Sequence, residues 1–158
     1  MNTVCVSRRR YYLLILMKED SLEAVYEQIA DIYAAKFSEP SDHIDDFLFL
    51  VKQGGRILDL GCGPGVDSTY MTNKRFSVVG IDTSEKMLEL ARKKNSRIKF
   101  ELADMRHLDF VPNAFDGVLV SFSLIHIPKS DVPEVLKEIY KILSVNGVVC
   151  IGIQEGKP

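Results

Sequence analysis

The stretch Leu58-Asp59-Leu60-Gly61-Cys62-Gly63-Pro64-Gly65 leaves an apolar run and enters a helical pattern, and its reading decides the fold. Ile57-Leu58-Asp59-Leu60 has the short, continuous apolar character of a strand buried on both faces. Three alternate glycines then let the backbone turn sharply and come within contact distance of a ligand, where a Cβ would collide. A plain strand-to-helix turn needs one special glycine, so three in this arrangement point to a binding loop. A dinucleotide fingerprint of G-x-G-x-x-G form would need glycine where Val66 stands, and it seldom carries an acid at the place of Asp59.

Working outward, Leu22, Val25, Tyr26, Ile29, Ile32 and Tyr33 recur at helical spacing and predict an amphipathic helix over 21–37. A second helix is predicted over 43–51 and is broken by Gly54-Gly55. Downstream of the loop, strand patterns over 77–82, 98–103, 117–122 and 148–153 alternate with helical ones. One helix runs over 84–94, with Ser84 as N-cap and Glu85 in its first turn. Another starts near Asp131, with Pro133 in its first turn and Glu134 placed to close a capping box, and Asn146-Gly147 is expected to stop it. Apolar strands separated by helices mean a doubly wound parallel α/β sheet covered on both faces. Ligand then belongs at the carboxyl ends of the strands, where their order reverses.

The bulk numbers set limits. A chain of 158 residues fits one domain, and 46% hydrophobic with 27% charged residues is ordinary for a globular protein. A formal net charge of −2 argues against a general nucleic-acid binder. Cys5, Cys62 and Cys150 are odd in number and lack metal-ligand spacing, which fits a cytoplasmic, reducing setting and neither a disulfide framework nor a metal site. Arg8-Arg9-Arg10 and the apolar residues after them superficially resemble a secretory signal. The apolar run is too short to cross a bilayer, and Lys18-Glu19-Asp20 stands where small residues would mark a cleavage site. Residues 1–16 are therefore read as an appendage to a domain over 17–158, with Met17 as an alternative start and no membrane partner.

The pattern D-x-G-x-G-x-G over 59–65 resembles motif I of the class I S-adenosylmethionine-dependent methyltransferases, and the resemblance extends from Tyr26 to about Ile153. It implies a Rossmann-like sheet of strand order 3-2-1-4-5 with S-adenosylmethionine as cofactor. Gly61, Cys62, Gly63, Pro64 and Gly65 would wrap its methionine part, and Asp59 would support the amino-acid end through hydrogen bonds. Asp82, 17 residues beyond Gly65 and followed by Thr83, would accept from the two ribose hydroxyls; a helix N-terminal charge is also physically sound at that place. Met87 resembles the residue that lies against adenine, although a core methionine suits the same position. Ala103-Asp104-Met105 resembles the segment whose acid accepts from the adenine amino group while a backbone N–H serves the ring. Residues 115–121 resemble motif IV and put Ser121 and Phe122 in the pocket wall.

His126 follows at the rim, either as a base facing the methyl acceptor or as a structural histidine. Tyr26 and Tyr33 fall where related enzymes bring an N-terminal helix over the cofactor; Tyr33 is assigned to the site and Tyr26 to core packing. Cys62 has no base or metal partner in the sequence and is not read as a nucleophile. The implied reaction is methyl transfer to a small-molecule acceptor, catalysed mostly by positioning because the sulfonium is its own activator. The alternative is a module that binds the cofactor without transferring its methyl group. Related domains continue past the fifth strand with a helix and two more strands, whereas this chain stops at Gly156-Lys157-Pro158. The C-terminal part of the sheet is thus expected to be missing. The edge of the fifth strand would then pair with a second copy, or be covered by residues 11–16.

Overall fold

Nearly every strand carries apolar residues on both faces, and the architecture follows from that. The structure, a computed structural model, describes residues 22–153. The expectations for residues 1–16, for Met17 as a start and for 11–16 as a covering strand lie outside the described residues. Five strands, β1 (Arg56–Leu60), β2 (Ser77–Asp82), β3 (Lys99–Leu102), β4 (Phe115–Ser121) and β5 (Leu143–Gly152), form one sheet of order β3-β2-β1-β4-β5. All four pairings are parallel, as the expected Rossmann-like winding requires. Around the sheet lie α1 (Leu22–Lys36), α2 (Ile44–Leu50), α3 (Val66–Asn73), α4 (Glu85–Lys94), α5 (Val132–Ile142) and a single 3₁₀ turn, Leu124–His126.

Successive strand residues point to opposite faces, so the sheet feeds two cores. Ile57, Val78, Phe100 and Leu119 pack with Phe47 of α2, Met71 of α3 and Leu88 of α4. Leu58, Val79, Val118 and Val120 pack on the other side with Val135, Ile139 and Ile142 of α5. Burying each such side chain contributes about 1.5–3 kcal/mol relative to leaving it in water. β1 lies between β2 and β4, so the strand order reverses beside it and a crevice opens at the carboxyl ends. β5 is the outermost strand of the described sheet. Among the described residues no helix is long and apolar enough to cross a membrane.

Three local expectations are corrected. α5 ends at Ile142 and not at Asn146-Gly147, because Leu143 is already extended (ψ 131) and pairs with Phe115. Two steps along β4, from Phe115 to Gly117, then answer five along β5, from Leu143 to Val148, so residues 144–147 bulge outward with Asn146 at φ 65. The capping box at Asp131 does not form. Its carboxylate accepts from Ser130 Oγ at 2.7 Å and from Arg106 Nη1 at 3.4 Å, and Glu134 meets Lys137 instead. On α1, Val25 and Ala30 are buried whereas Ile32 is 66% exposed. The inward face of that helix is centred on Tyr26, Ala30 and Tyr33, which leaves Ile32 at its rim.

Candidate functional site

The carboxyl ends of β1, β2, β3 and β4 surround a cavity of about 230 Å³, roofed by Tyr26 and Tyr33 of α1. The glycine loop forms its first wall. Gly61 and Cys62 both donate their amides to the carbonyl of Ile81 at 2.9 Å, which ties the loop across to β2. The glycines serve different ends. A Cβ on Gly61 would collide with Ser123, and one on Gly65 would press on Ala91 and Phe100, so these two allow close packing. Gly63, at φ +50, would meet only a Tyr33 ring carbon at 4.0 Å, so its missing side chain keeps the cavity open.

Asp82 stands at the end of β2. Its Oδ2 accepts from the Gly63 amide at 2.8 Å and its Oδ1 from the Ser84 amide at 3.0 Å, and with about four lone-pair sites in all the carboxylate keeps acceptor capacity for the cavity. Burial pushes its carboxyl above the usual range, and the amides of Ser84, Gly63 and Thr83 oppose that shift. Below it, the Ser84 hydroxyl accepts from the Met87 amide as the N-cap of α4, and it donates to Glu27 of α1 at 2.7 Å. Met87, 1% exposed, Ile81 and Ala103 give that part of the cavity an apolar face.

Beyond β3, Asp104 reaches the wall but is claimed by a neighbour. Arg106 donates Nε to both of its oxygens, at 3.0 and 2.9 Å, Nη2 to Oδ2 and its amide to Oδ1, and this holds the carboxyl below its ordinary value. Both oxygens are thereby committed to Arg106, which also reaches Asp131. The expected acceptance from an adenine amino group would have to compete with that clamp.

On the opposite side, Ser121 ends β4 and Phe122 follows at φ 54, a left-handed turn that carries the chain off the sheet. The Ser123 hydroxyl donates to the carbonyl of Leu60 at 2.6 Å and so fixes the end of β1. His126 sits in the 3₁₀ turn, 2.8 Å from the hydroxyl of Tyr26 through Nε2, with the two rings edge-on at 5.4 Å. Burial lowers the pKa of His126 and keeps its imidazole neutral. The phenol of Tyr26 is raised, by burial first and then by Tyr33 and the Asp82 carboxylate. Tyr26 also meets Tyr33 edge-on, with ring centroids 5.6 Å apart.

The cavity wall therefore brings together Gly61, Gly63, Asp82, Thr83, Met87, Ala103, Asp104, Met105, Ser121, Phe122, Tyr33 and His126 from among the residues singled out in the sequence. Asp59 of β1 and Cys62, Pro64 and Gly65 of the loop are buried and are not in the wall. Asp59 is 2% exposed and accepts from Ser68 Oγ at 2.5 Å; its carboxyl is pushed up to about 8 by burial and then by the Asp67 charge. Cys62 turns into the core, where burial raises its thiol, and it faces no base. Tyr26, read as core from its place in an apolar stripe, lines the cavity instead. Ile81, Arg106, Ser123, Ile127 and Pro128 also line it and were missed. Of these only Arg106, two places after Asp104, left a signal in the sequence.

The wall sets a carboxylate with spare acceptor capacity beside an apolar floor. Arg106, a cation in the wall, is already neutralised by Asp104 and Asp131. Among the described residues no group of three His, Cys, Asp or Glu could hold a metal ion.

Comparison with known proteins bears on the same region. Residues 57–147 match a family model described as a methyltransferase domain. The demethylmenaquinone methyltransferase of Lactobacillus johnsonii is 39% identical over 111 residues, covering 64% of this chain and 44% of that one. The malonyl-[acyl-carrier protein] O-methyltransferase of Legionella pneumophila is 42% identical over 97 residues, covering 58% of this chain and 34% of that one. The chain spans about half the length, or less, of these curated relatives. Among solved structures, a TehB-like S-adenosylmethionine-dependent methyltransferase from Corynebacterium glutamicum superposes with a TM-score of 0.67 at 19% identity, covering 80% of this chain and 70% of that one. That likeness concerns the fold.

Proposed function

The chain belongs to the class I S-adenosylmethionine-dependent methyltransferase family, and from that premise we propose that its cavity binds S-adenosylmethionine and supports methyl transfer to a small-molecule acceptor. The observation that carries this reading is Asp82, whose two oxygens are anchored by Gly63 and Ser84 and still face the cavity. S-adenosylmethionine supplies a methyl carbon on a positively charged sulfur, so donor activation is intrinsic to it. The chain's own residues have to bind, orient and remove a proton. Asp82 accepts from the ribose hydroxyls. Ile81, Met87 and Ala103 offer the purine an apolar face, and Gly63 leaves room for close approach of the backbone. Tyr33 covers the site from α1.

On the acceptor side, the neutral imidazole of His126 serves as the base for a hydroxyl or amine nucleophile, and the contact of its Nε2 with the Tyr26 hydroxyl at 2.8 Å holds the ring at the rim. Copies of the chain would associate along β5, the outermost strand of the described sheet, whose Val148, Val149 and Ile151 are only partly buried.

Titration with S-adenosylmethionine, its homocysteine product and nicotinamide adenine dinucleotide tests the binding step. The first two should bind and the third should not. A radiolabelled methyl-transfer screen over a metabolite panel then tests the reaction. Binding without transfer to any acceptor would reduce the reading to a cofactor-binding module.

A further inference from the structure

Behind the cavity wall, Asp67 in the first turn of α3 is a half-hidden carboxylate that none of the steps above uses. Among the described residues no basic side chain pairs with it. Its donors come from the connector between α1 and α2: the Ser41 amide gives a hydrogen bond to Oδ1 at 2.8 Å and the Ser41 hydroxyl one to Oδ2 at 2.5 Å. Burial pushes its carboxyl above the usual range, and hydrogen bonds from Ser41 and from Ser121, which suit the ionised form, oppose that shift. Ser41 has a single hydroxyl proton, and Asp67 takes it. The contact of 2.6 Å between Ser41 Oγ and Ser121 Oγ must therefore be made with the Ser121 proton. Ser121 lines the cavity, and with its proton committed inward it shows the cavity lone pairs alone.

We propose that Asp67, together with Ser41, fixes Ser121 as a hydrogen-bond acceptor for the cationic amino end of the cofactor. The assignment rests on the cofactor reading above. The ends of β2 and β3 are taken by the nucleoside in that reading, through Asp82 and the apolar floor. β4 lies two places from β2 across β1, so its end meets the other half of the ligand. That half carries an ammonium, a group that can only donate, and an acceptor backed by a partly buried negative charge is its complement. Asp67 and Ser41 are thus positioning residues for Ser121.

The test uses two ligands, S-adenosylhomocysteine and 5′-methylthioadenosine, the second having the nucleoside and thioether without the amino-acid end. Calorimetry on the full chain should show Asp67→Asn weakening S-adenosylhomocysteine about tenfold, the loss of one hydrogen bond to a charged group, while methylthioadenosine binding stays within about twofold. The asparagine amide donates where the carboxylate accepted, so the chain of hydrogen bonds reverses or breaks. Ser41→Ala, in the connector and outside the wall, should give the same split. Retained methylthioadenosine binding shows in each case that the variant is folded. Equal weakening of both ligands, or no weakening of either, would overturn the relay. A native chain that binds neither ligand would overturn the cofactor reading itself, and the relay with it.

Discussion

The amide of Gly63 donates to Oδ2 of Asp82 at 2.8 Å, and this bond joins the loop after β1 to the end of β2. In the proposed reading ligand and loop share this one carboxylate, and the site is organised before anything enters it. Binding then spends little on ordering the backbone.

Asp82→Ala removes the proposed ribose acceptor together with the anchor of the loop. Hydrogen bonds to a charged group are worth about 1.5–3 kcal/mol each, so affinity for S-adenosylmethionine should fall tenfold or more. Calorimetry on a folded variant reads this directly, and unchanged affinity would remove Asp82 from the ribose.

Asp104→Ala should cost less than Asp82→Ala, since both Asp104 oxygens are already held by Arg106. The two variants titrated side by side rank the residues. A larger loss at Asp104 would mean that the clamp opens for the purine.

The glycines of the loop should separate stability from binding. Gly61→Ala drives a Cβ into Ser123 and threatens its bond to Leu60, so thermal stability should drop by about 1–3 kcal/mol. Gly63→Ala faces open space and costs only the left-handed backbone, about 1–2 kcal/mol, but it narrows the cavity. Cofactor affinity should fall more in Gly63→Ala than its melting temperature alone suggests. Full affinity there would make the loop purely structural.

Asp59 gives a pH signature. Its folded carboxyl is pushed from 3.8 to about 8, so the native state holds a proton that the unfolded chain releases between those values. Its contribution is complete below about pH 4 and is lost as pH rises toward 8, with a slope of at most about 1.4 kcal/mol per pH unit for one proton. Asp59→Asn is neutral throughout and should gain on the native protein between pH 5 and pH 8. Urea midpoints across that range measure the gap; a constant gap would show that Asp59 is ionised in the fold.

The strands and the glycine loop were legible because both are written in local pattern, continuous apolar runs for the buried strands and D-x-G-x-G-x-G for the loop, whereas the strand order came from the resemblance that the loop carries. The end of α5 was not, because Ile142-Leu143 continues an apolar stretch that suits helix and strand alike, and only pairing with Phe115 decides it. Tyr26 was misread for a related reason, since a residue that roofs a cavity shares its helical face with residues that fill a core. The contacts of Ser41 with Asp67 and Ser121 join positions 26 and 80 residues apart, and no local pattern encodes them. Arg106 stood in plain view beside Asp104, but its two-sided grip depends on where Asp131 falls in space.

The central claim is that the cavity at the ends of β1, β2, β3 and β4 takes S-adenosylmethionine. The most direct measurement is a calorimetric titration of the native chain and of Gly63→Val with S-adenosylhomocysteine, each checked for folding by circular dichroism. A branched side chain at position 63 stands in the space left beside Tyr33, so saturable one-to-one binding by the native chain should disappear in the folded variant. No binding by the native chain, or equal binding by both, would contradict the account.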